Sequence, residues 1–335
     1  MSALGYSPPL VGELLLRTLR DLGVRHVFSL PGAQILPLWD AFHHVAGIEL
    51  VVPHSETSGA FMAEGYGRVA PVPAVVMNTV GVGVANEIPG SASALRSGTP
   101  VLYVSPRQPG PGLPGSFPQP RLDKRARRGS VFQGLAHPSL LDLHAKEAFA
   151  VESQEELWCR LPDALAAALA PPAGPVRVHV PYPLLYDPAR PQPAPMPEER
   201  VAPPASGILA LEEKGDGGPW KDDLFRLPPP QPIWPGIGRS GYGMPFALGA
   251  RLARPGVPTV LVTSPGAFLA SLECAGLAAR SLRLEVHVVQ MDVKAGAELR
   301  RAAALVGAAH HLAPGKADLR QLVQGHPDAW VVICR

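Results

Sequence analysis

Residues 51–60 read VVPHSETSGA, and this stretch decides the fold because the end of a buried strand is followed at once by the start of a helix. The mostly apolar segment at 48–52 is typical of a short strand, and Glu56 stands where a carboxylate favours a helix N-terminus. The same succession recurs along the chain, with strands predicted at 24–30, 74–77 and 101–104 and helices between them. This alternation indicates a parallel sheet covered on both faces.

The alternation is interrupted once. A helix at 155–169, expected to break or kink at Pro162, and a strand at 176–180 complete a first domain, residues 1–185. Residues 186–230 are rich in proline and predict a linker without a helix or a central strand. The pattern then resumes over residues 231–335, with predicted strands at 259–263, 285–291 and 330–334 and helices at 244–252 and 269–282. The sequence therefore predicts an α/β protein of two doubly wound parallel-sheet domains.

Composition limits the classes of partner. The formal net charge of +2 over 335 residues gives no field strong enough to favour nucleic acid or an anionic membrane. The basic run at 121–128 has no interleaved aromatic residues and is interpreted as a solvated loop, with a phosphate contact as the alternative. Charged residues make up 17% of the chain, against about 25% in a typical soluble domain. A large part of the surface is therefore expected to face another subunit.

Cysteine content and hydropathy suggest a location. The three cysteines, Cys159, Cys274 and Cys334, form no close pair and lack the spacing of a zinc site. No apolar stretch reaches the roughly 18 residues of a membrane span, and the first residues lack the pattern of a signal peptide. We therefore expect a cytoplasmic protein without a disulfide framework, a structural metal or a membrane anchor.

Several motifs, taken in order, identify a family. The first domain contains GVRHVFSLPG at 23–32, HSE at 54–56, MAEGYGR at 62–68 and GVGVAN at 81–86, and further matches at 132–133 and 174–181. In this order they resemble the pyrimidine-binding domain of the thiamine-diphosphate enzymes, closest to the branch of acetolactate synthase and the 2-oxoacid decarboxylases. Residues 236–250, which begin GIGRSGYGMP, resemble the diphosphate-binding domain of that family. The resemblance implies the thiamine-diphosphate-binding fold in a short form, in which the linker replaces the family's central domain.

The resemblance also implies roles for single residues. Glu56 would hydrogen-bond the aminopyrimidine ring of thiamine diphosphate and activate the cofactor, whereas on pattern alone it is a carboxylate that favours a helix start. His54, close to Glu56, would be either catalytic or a residue with a helix-entry or packing role. The residues expected to contact the cofactor lie in glycine-rich turns of both domains and are Pro31, Gly32, Gly81, Gly83, Asn86, Gly236, Gly238, Ser240 and Gly266.

Three departures from the family predict a degenerate site for the diphosphate and Mg²⁺. Ser240 stands where the family has a bulky apolar residue that supports the bent cofactor. Pro265 occupies the position of an aspartate that holds Mg²⁺, and Mg²⁺ requires oxygen ligands. Asp292 is the remaining candidate for the metal, with an exposed aspartate at a strand end as the equal alternative. The third departure is the loop that closes over the cofactor in the family, which is absent here because residues 294–296 lead directly into a predicted helix.

Three functions follow as hypotheses. The first is a thiamine-diphosphate enzyme that decarboxylates a 2-oxoacid or joins the resulting aldehyde unit to an acceptor. The second is a degenerate relative that has lost metal-dependent cofactor binding and serves as a binding or regulatory subunit. The third, a nucleotide-binding protein of another kind, rests on the glycine-rich turns and lacks a matched GxGxxG opening. By resemblance, the chain is expected to form a homodimer or a dimer of dimers.

Overall fold

The structure is a computed structural model that describes residues 9–107, 137–190 and 241–255, and the shorter segments 209–212, 232–233, 260–263, 265–277, 285–290, 312–314 and 333–334. It contains two compact units. The first comprises Met1–Thr57, Val72–Ser91 and Pro100–Arg200, and the second comprises Ser58–Pro71, Ala92–Thr99 and Val201–Arg335. The predicted limits of the two domains and the linker are not tested by this division and stay a prediction.

The first unit contains a six-stranded sheet in which every pair of neighbours is parallel. Its strands are β1 (His26–Phe28), β2 (Glu49–Val51), β3 (Ala74–Met77), β4 (Val101–Arg107), β5 (Glu147–Ala150) and β6 (Pro175–Pro181). They lie in the order β2-β1-β3-β4-β6-β5. The chain passes from β1 to β2 and then back across to β3, so the topological switch point lies between β1 and β3. In such sheets ligands bind beyond the carboxyl ends of the strands at this point.

The helices follow the predicted alternation with β-strands. They are α1 (Val11–Asp21), α2 (Leu36–Ala41), α3 (Glu56–Val69), α4 (Val82–Ala85), α5 (Ile88–Ser97), α6 (His137–Asp142) and α7 (Gln154–Leu169), with 3₁₀ turns at Ala33–Ile35 and Tyr182–Tyr186. Helices α1 and α7 bury their apolar faces in one core with alternate residues of β4 and β6. The prediction of a parallel α/β fold is confirmed. Helix α6 and strand β5 were not predicted.

Strand β6 shows how one strand serves two different faces. Its sequence alternates so that Val176, Val178 and Val180 lie in the apolar core, and all three are fully buried. Since side chains alternate across a strand, Arg177 and His179 point to the opposite face, where both are also buried. A buried arginine in a central strand needs polar partners, and these are described with the site below.

The predicted break at Pro162 does not occur, because α7 runs as one helix from Gln154 to Leu169. The Ser153 hydroxyl caps its start by accepting a hydrogen bond from the Glu156 N–H, 3.2 Å away. Buried residues on both sides of the proline, Leu157, Leu161 and Leu165 among them, hold the helix against the sheet. Tertiary burial of an apolar face contributes more to helix stability than local propensity, so the missing N–H is tolerated.

The second unit has two three-stranded parallel sheets among its described residues, in the orders β11-β10-β9 and β12-β7-β8. The strands are β7 (Leu209–Glu212), β8 (Pro232–Ile233), β9 (Val260–Thr263), β10 (Glu285–Gln290), β11 (Leu312–Pro314) and β12 (Ile333–Cys334), and the helices are α8 (Gly243–Ala253), α9 (Pro265–Ala270) and α10 (Leu272–Leu277). Strand β7 falls within residues 186–230, where we predicted a linker without a central strand. Its four residues contain no proline, which explains why a strand fits there. As far as residue 277, the helix predicted over 269–282 is two short helices instead of one.

Within the second unit, the residues of α3 from Ser58 onward pack closely on α8. A Cβ added at Gly65 would lie 1.9 Å from the carbonyl oxygen of Phe246, and one at Gly249 would lie 1.7 Å from that of Met62. The backbones of the two helices therefore touch at two glycines, where no other residue fits without moving a helix. Phe61 stacks on Tyr242 beside this crossing, with ring centroids 3.9 Å apart.

Candidate functional site

Glu56 is the first residue of α3, directly after β2, and its side chain is partly exposed. The Nδ2 amide of Asn86 donates a hydrogen bond to Glu56 Oε2 over 3.0 Å. In return, the hydroxyl of Thr57 donates to the backbone carbonyl of Asn86 over 2.7 Å. Two reciprocal hydrogen bonds thus join the start of α3 to the end of α4 and fix one oxygen of the carboxylate.

The turn before α4 and the start of that helix place glycine backbone, without side chains, next to the Glu56 carboxylate. Gly81 has a φ of 78°, a conformation that favours glycine, and precedes the first residue of the helix. A Cβ added at Gly83 would lie 3.0 Å from Thr79 Cγ2 and 3.6 Å from Glu56 Oε1. Glycine at this position therefore keeps the space beside the second carboxylate oxygen open.

The loop after β1 is joined to the loop after β3. A Cβ added at Gly32 would lie 2.3 Å from the Cβ of Thr79, so glycine is required for this close approach. The Thr79 hydroxyl also donates a hydrogen bond to the side-chain oxygen of Gln34, and the N–H of Leu30 donates to Asn78 Oδ1 over 2.9 Å. The exposed Pro31 lies between these contacts. Both loops belong to the carboxyl ends of β1 and β3, which border the switch point.

Beneath these loops lies a buried polar network. Asn78 Nδ2 donates to Glu87 Oε1 over 3.0 Å, and Arg177 Nη1 donates to Glu87 Oε2 over 2.9 Å and to the hydroxyl of Ser105 over 3.0 Å. The Arg177 guanidinium carbon also lies 4.5 Å from the ring centroid of Tyr103. The charged side chains of Glu87 and Arg177 are fully buried, so each is stabilised by the other.

The protonation of Glu87 is set by opposing influences. Burial raises the pKa of its carboxyl from 4.5 to about 7, because the charged form loses water. The charge and hydrogen bond of Arg177 and the hydrogen bond of Asn78 oppose this rise, whereas the negative charge of Glu56 adds to it. The two carboxylates, Glu56 and Glu87, are therefore electrostatically coupled.

The polar face of the sheet continues to the next residues of β4 and β6. His179 Nε2 lies 2.7 Å from Asp142 Oδ1, and Arg107 donates to the carbonyl of Val151 and to the carboxylate of Glu152. Burial lowers the pKa of His179, Asp142 opposes this shift, and the positive charges of Arg177 and Arg107 add to it. A neutral imidazole is therefore favoured near neutral pH.

The structure brings together three of the residues predicted from the sequence, Glu56, Gly83 and Asn86. Pro31 and Gly32 lie on the loop after β1, and Gly81 begins the turn that holds Gly83; His54 is exposed. Four predicted residues, Gly236, Gly238, Ser240 and Asp292, lie outside the described residues. Gly266 is the second residue of α9. The roles assigned to all of these residues stay predictions.

Sequence reasoning missed the side chains that support this cluster, Thr57, Asn78, Thr79, Glu87 and Arg177. One signal was available for Arg177. Residues 175–181 read PVRVHVP, and polar residues at alternate positions of an apolar strand indicate a buried polar face. Its partner could not be inferred, because Glu87 is 90 residues away along the chain.

The Mg²⁺ side of the predicted site has little support among the described residues. Pro265 begins α9, a favourable position for proline, and its side chain has no oxygen to offer a metal. Over the described parts of the chain, no group of three or more His, Cys, Asp or Glu side chains could hold a metal ion. In those same parts, no helix is both long enough and apolar enough to span a membrane.

The switch point of a parallel α/β sheet is where such folds bind ligands, and comparison with known proteins shows which family model the N-terminal part of this chain matches. Residues 10–126 match the family "Thiamine pyrophosphate enzyme, N-terminal TPP binding domain". This part of the chain is therefore similar to that domain, and the resemblance found in the sequence is confirmed.

Acetolactate synthases are among the relatives. The chain is 31% identical over 186 residues to the acetolactate synthase isozyme 3 large subunit of Escherichia coli (strain K12), which covers 56% of this chain and 30% of the relative. It is 30% identical over 169 residues to the acetolactate synthase large subunit of Haemophilus influenzae, covering 50% of this chain and 27% of the relative. The chain thus spans less than a third of the length of these relatives.

A solved structure supports the fold. The thiamine diphosphate-dependent 4-hydroxybenzoylformate decarboxylase of Rhodococcus jostii RHA1 superposes with a TM-score of 0.68, over 97% of this chain and 98% of that one. The sequence identity is 14%, so this likeness concerns the fold alone.

Proposed function

We propose that this protein binds thiamine diphosphate with the aminopyrimidine end at Glu56 and acts on a 2-oxoacid, by decarboxylation or by joining the resulting aldehyde unit to an acceptor. The observation that carries the proposal is the arrangement of Glu56, Asn86 and Gly83. A partly exposed carboxylate at the switch point has one oxygen held by an amide and the other beside bare backbone. The acetolactate synthase relatives support the substrate class.

The described residues fit the aminopyrimidine half of the cofactor. Glu56 offers a carboxylate that can share a proton with a ring nitrogen, and a charge-assisted hydrogen bond of this kind is among the strong ones. Asn86 orients that carboxylate, and Gly83 and Gly32 leave room for a flat ring to approach. Bound thiamine diphosphate supplies an electron sink for the carbanion formed in decarboxylation, which protein side chains lack.

For the diphosphate half, the residues proposed to bind are Gly236, Gly238, Ser240 and Gly266, with Asp292 as the proposed Mg²⁺ ligand. Pro265 contributes no ligand in that half. If the lost aspartate is what limits metal binding, the pair of substitutions Pro265→Asp and Ser240→Met increases cofactor affinity in the presence of Mg²⁺. Unchanged affinity in this double variant would argue against the proposed place of the metal.

Pro265 also favours a second candidate. Without that carboxylate, the protein would be a degenerate homologue that has lost metal-dependent cofactor binding and acts as a binding or regulatory subunit. In either case we propose a homodimer or a dimer of dimers, following the family.

Thermal unfolding separates the two candidates. A ligand that binds only the folded state stabilises it, by about 2.7 kcal/mol at a concentration of 100 times Kd. For an enzyme, thiamine diphosphate with Mg²⁺ raises Tm, and the Glu56→Gln variant keeps most of this rise but loses turnover of pyruvate. Glu155→Gln, which neutralises an exposed carboxylate on α7, is the matched control and keeps both. An absent Tm shift supports the degenerate candidate, and full turnover by Glu56→Gln refutes the role of Glu56.

A further inference from the structure

Glu87 anchors the junction between α4 and α5 to the sheet. Its backbone N–H donates to the carbonyl of Val84 over 3.3 Å, and its carbonyl accepts from the N–H of Ser91 over 2.9 Å, so it belongs to the backbone of both helices. Its side chain extends into the protein, where it accepts hydrogen bonds from Asn78 and Arg177. The junction is therefore tied to the end of β3 and to the middle of β6.

The next residue toward the N-terminus is the one that orients Glu56. Asn86 is exposed, donates its side-chain amide to Glu56 and accepts the Thr57 hydroxyl with its carbonyl. We call the buried side chain of Glu87, with its hydrogen bonds to Asn78 and Arg177, the anchor. Because Asn86 and Glu87 are adjacent, the anchor limits where the Asn86 amide can lie. A loss of the anchor would free the junction on the side that faces Glu56.

We propose that Glu87 is a positioning residue of this site, which through its ion pair with Arg177 holds the Asn86 amide against the Glu56 carboxylate. The functional importance of this contact rests on the proposed role of Glu56. The pairing of Glu87 and Arg177 itself depends only on geometry: a distance of 2.9 Å between two fully buried side chains.

The charged and polar groups that face Glu87 come from three elements. Arg177 approaches from β6, Asn78 from the loop after β3, and Glu56 from α3. With a pKa of about 7, Glu87 exchanges its proton near neutral pH. Protonation removes the charge from one side of the ion pair and turns one acceptor oxygen into a donor, so the anchor weakens as pH falls.

The Asn86 side-chain amide reports on the anchor directly. In apo protein labelled with ¹⁵N-asparagine, its NH₂ resonances are assigned by their loss in Asn86→Asp and followed by NMR between about pH 5.5 and 8.5. The proposal expects a shift with a midpoint at the pKa of Glu87, about 7. A purely structural role for Glu87 would leave this amide insensitive to pH, and that result in the wild-type protein overturns the proposal.

Variants test the cause of the shift. In Glu87→Gln, which keeps the size of the side chain, the shift near neutral pH should be absent; its persistence overturns the proposal. In Glu56→Gln, the midpoint should move to lower pH, because the negative charge that raises the pKa of Glu87 is gone; an unmoved midpoint contradicts the coupling. The control Glu155→Gln should retain the wild-type midpoint. A midpoint that moves in this control would mean that the titration is not specific to Glu87, and it would overturn the proposal.

These measurements need no cofactor. A protein that never binds thiamine diphosphate would refute the proposed function and still give the Asn86 titration, so the two failures are distinguishable. If Glu87→Gln does not fold, the titrations of the wild type and of Glu56→Gln decide the question alone.

Discussion

The pH dependence of stability offers a quantitative test of the buried network. The perturbation is Glu87→Gln, which removes one titrating group from the folded protein. The pKa of Glu87 is raised by burial from 4.5 to about 7, and a difference of this size corresponds to roughly 3 kcal/mol. Because the folded state binds this proton more tightly than the unfolded state, the contribution of Glu87 to stability is fully present below about pH 4.5 and is lost as pH rises through about 7.

The assay is urea unfolding of both proteins, followed by circular dichroism at several pH values between about 5 and 8. The free energy of unfolding of the variant is subtracted from that of the wild type at each pH. The ion pair with Arg177 forms only when Glu87 is ionised, so its contribution is part of the same titration. Effects of the substitution that do not depend on pH shift the difference by a constant, so its slope isolates the titration of Glu87. The difference should fall by roughly 3 kcal/mol toward high pH, less the part of the titration outside the measured range.

Two outcomes would refute this reasoning. A flat difference would mean that the carboxyl has an ordinary pKa in the folded state. A difference that grows with pH would mean that attraction to Arg177 outweighs the loss of water on burial and lowers the pKa of Glu87. Glu155→Gln is the control for a carboxylate removed from an exposed helix surface.

Three further substitutions test the packing and the site. Arg177→Met should lower the free energy of unfolding by about 3–5 kcal/mol at alkaline pH, because it leaves the buried charge of Glu87 unpaired. Adding Glu87→Leu should restore most of this stability in urea unfolding. A double variant as unstable as Arg177→Met would contradict the pairing. Gly65→Ala should lower the free energy of unfolding by at least about 1–3 kcal/mol, because the added Cβ would lie 1.9 Å from a carbonyl oxygen of α8. Gly174→Ala, where the nearest atom belongs to a lysine side chain 3.2 Å away, should lower it less. Equal losses of Tm in the two variants would refute the helix contact. Gly83→Ala fills the space 3.6 Å from Glu56 Oε1. If the aminopyrimidine ring binds there as proposed, this variant should weaken thiamine diphosphate binding at least about tenfold by calorimetry, roughly 1.4 kcal/mol. Unchanged affinity would place the ring elsewhere.

Much of the fold could be predicted because short apolar runs alternate with amphipathic ones. Strand β3 lies at Ala74–Met77, as predicted, since four apolar residues between polar and proline positions fit a buried strand. Strand β5, Glu147–Ala150, escaped prediction because it lies at the sheet edge and is largely exposed, which removes the apolar signal. Strand β7 was hidden by the proline content on either side of it.

The site was predictable only in part. Glu56 and Asn86 were selected through the family resemblance, and their contact across 30 residues depends on the sheet order that brings the ends of β2 and β3 to one edge. The pair of Glu87 and Arg177 could not be derived, because periodicity indicates which face a residue occupies and leaves its partner open. A buried charge in a strand is a signal that a partner exists.

Hydrogen–deuterium exchange with and without thiamine diphosphate and Mg²⁺ tests whether the cofactor binds where Glu56 and Asn86 meet. Cofactor addition should slow exchange at residues 54–57 and 79–86, the two segments joined by the hydrogen bonds of Glu56 and Thr57 with Asn86. Binding of the cofactor without protection of either segment, or no binding at saturating concentration, would contradict this expectation.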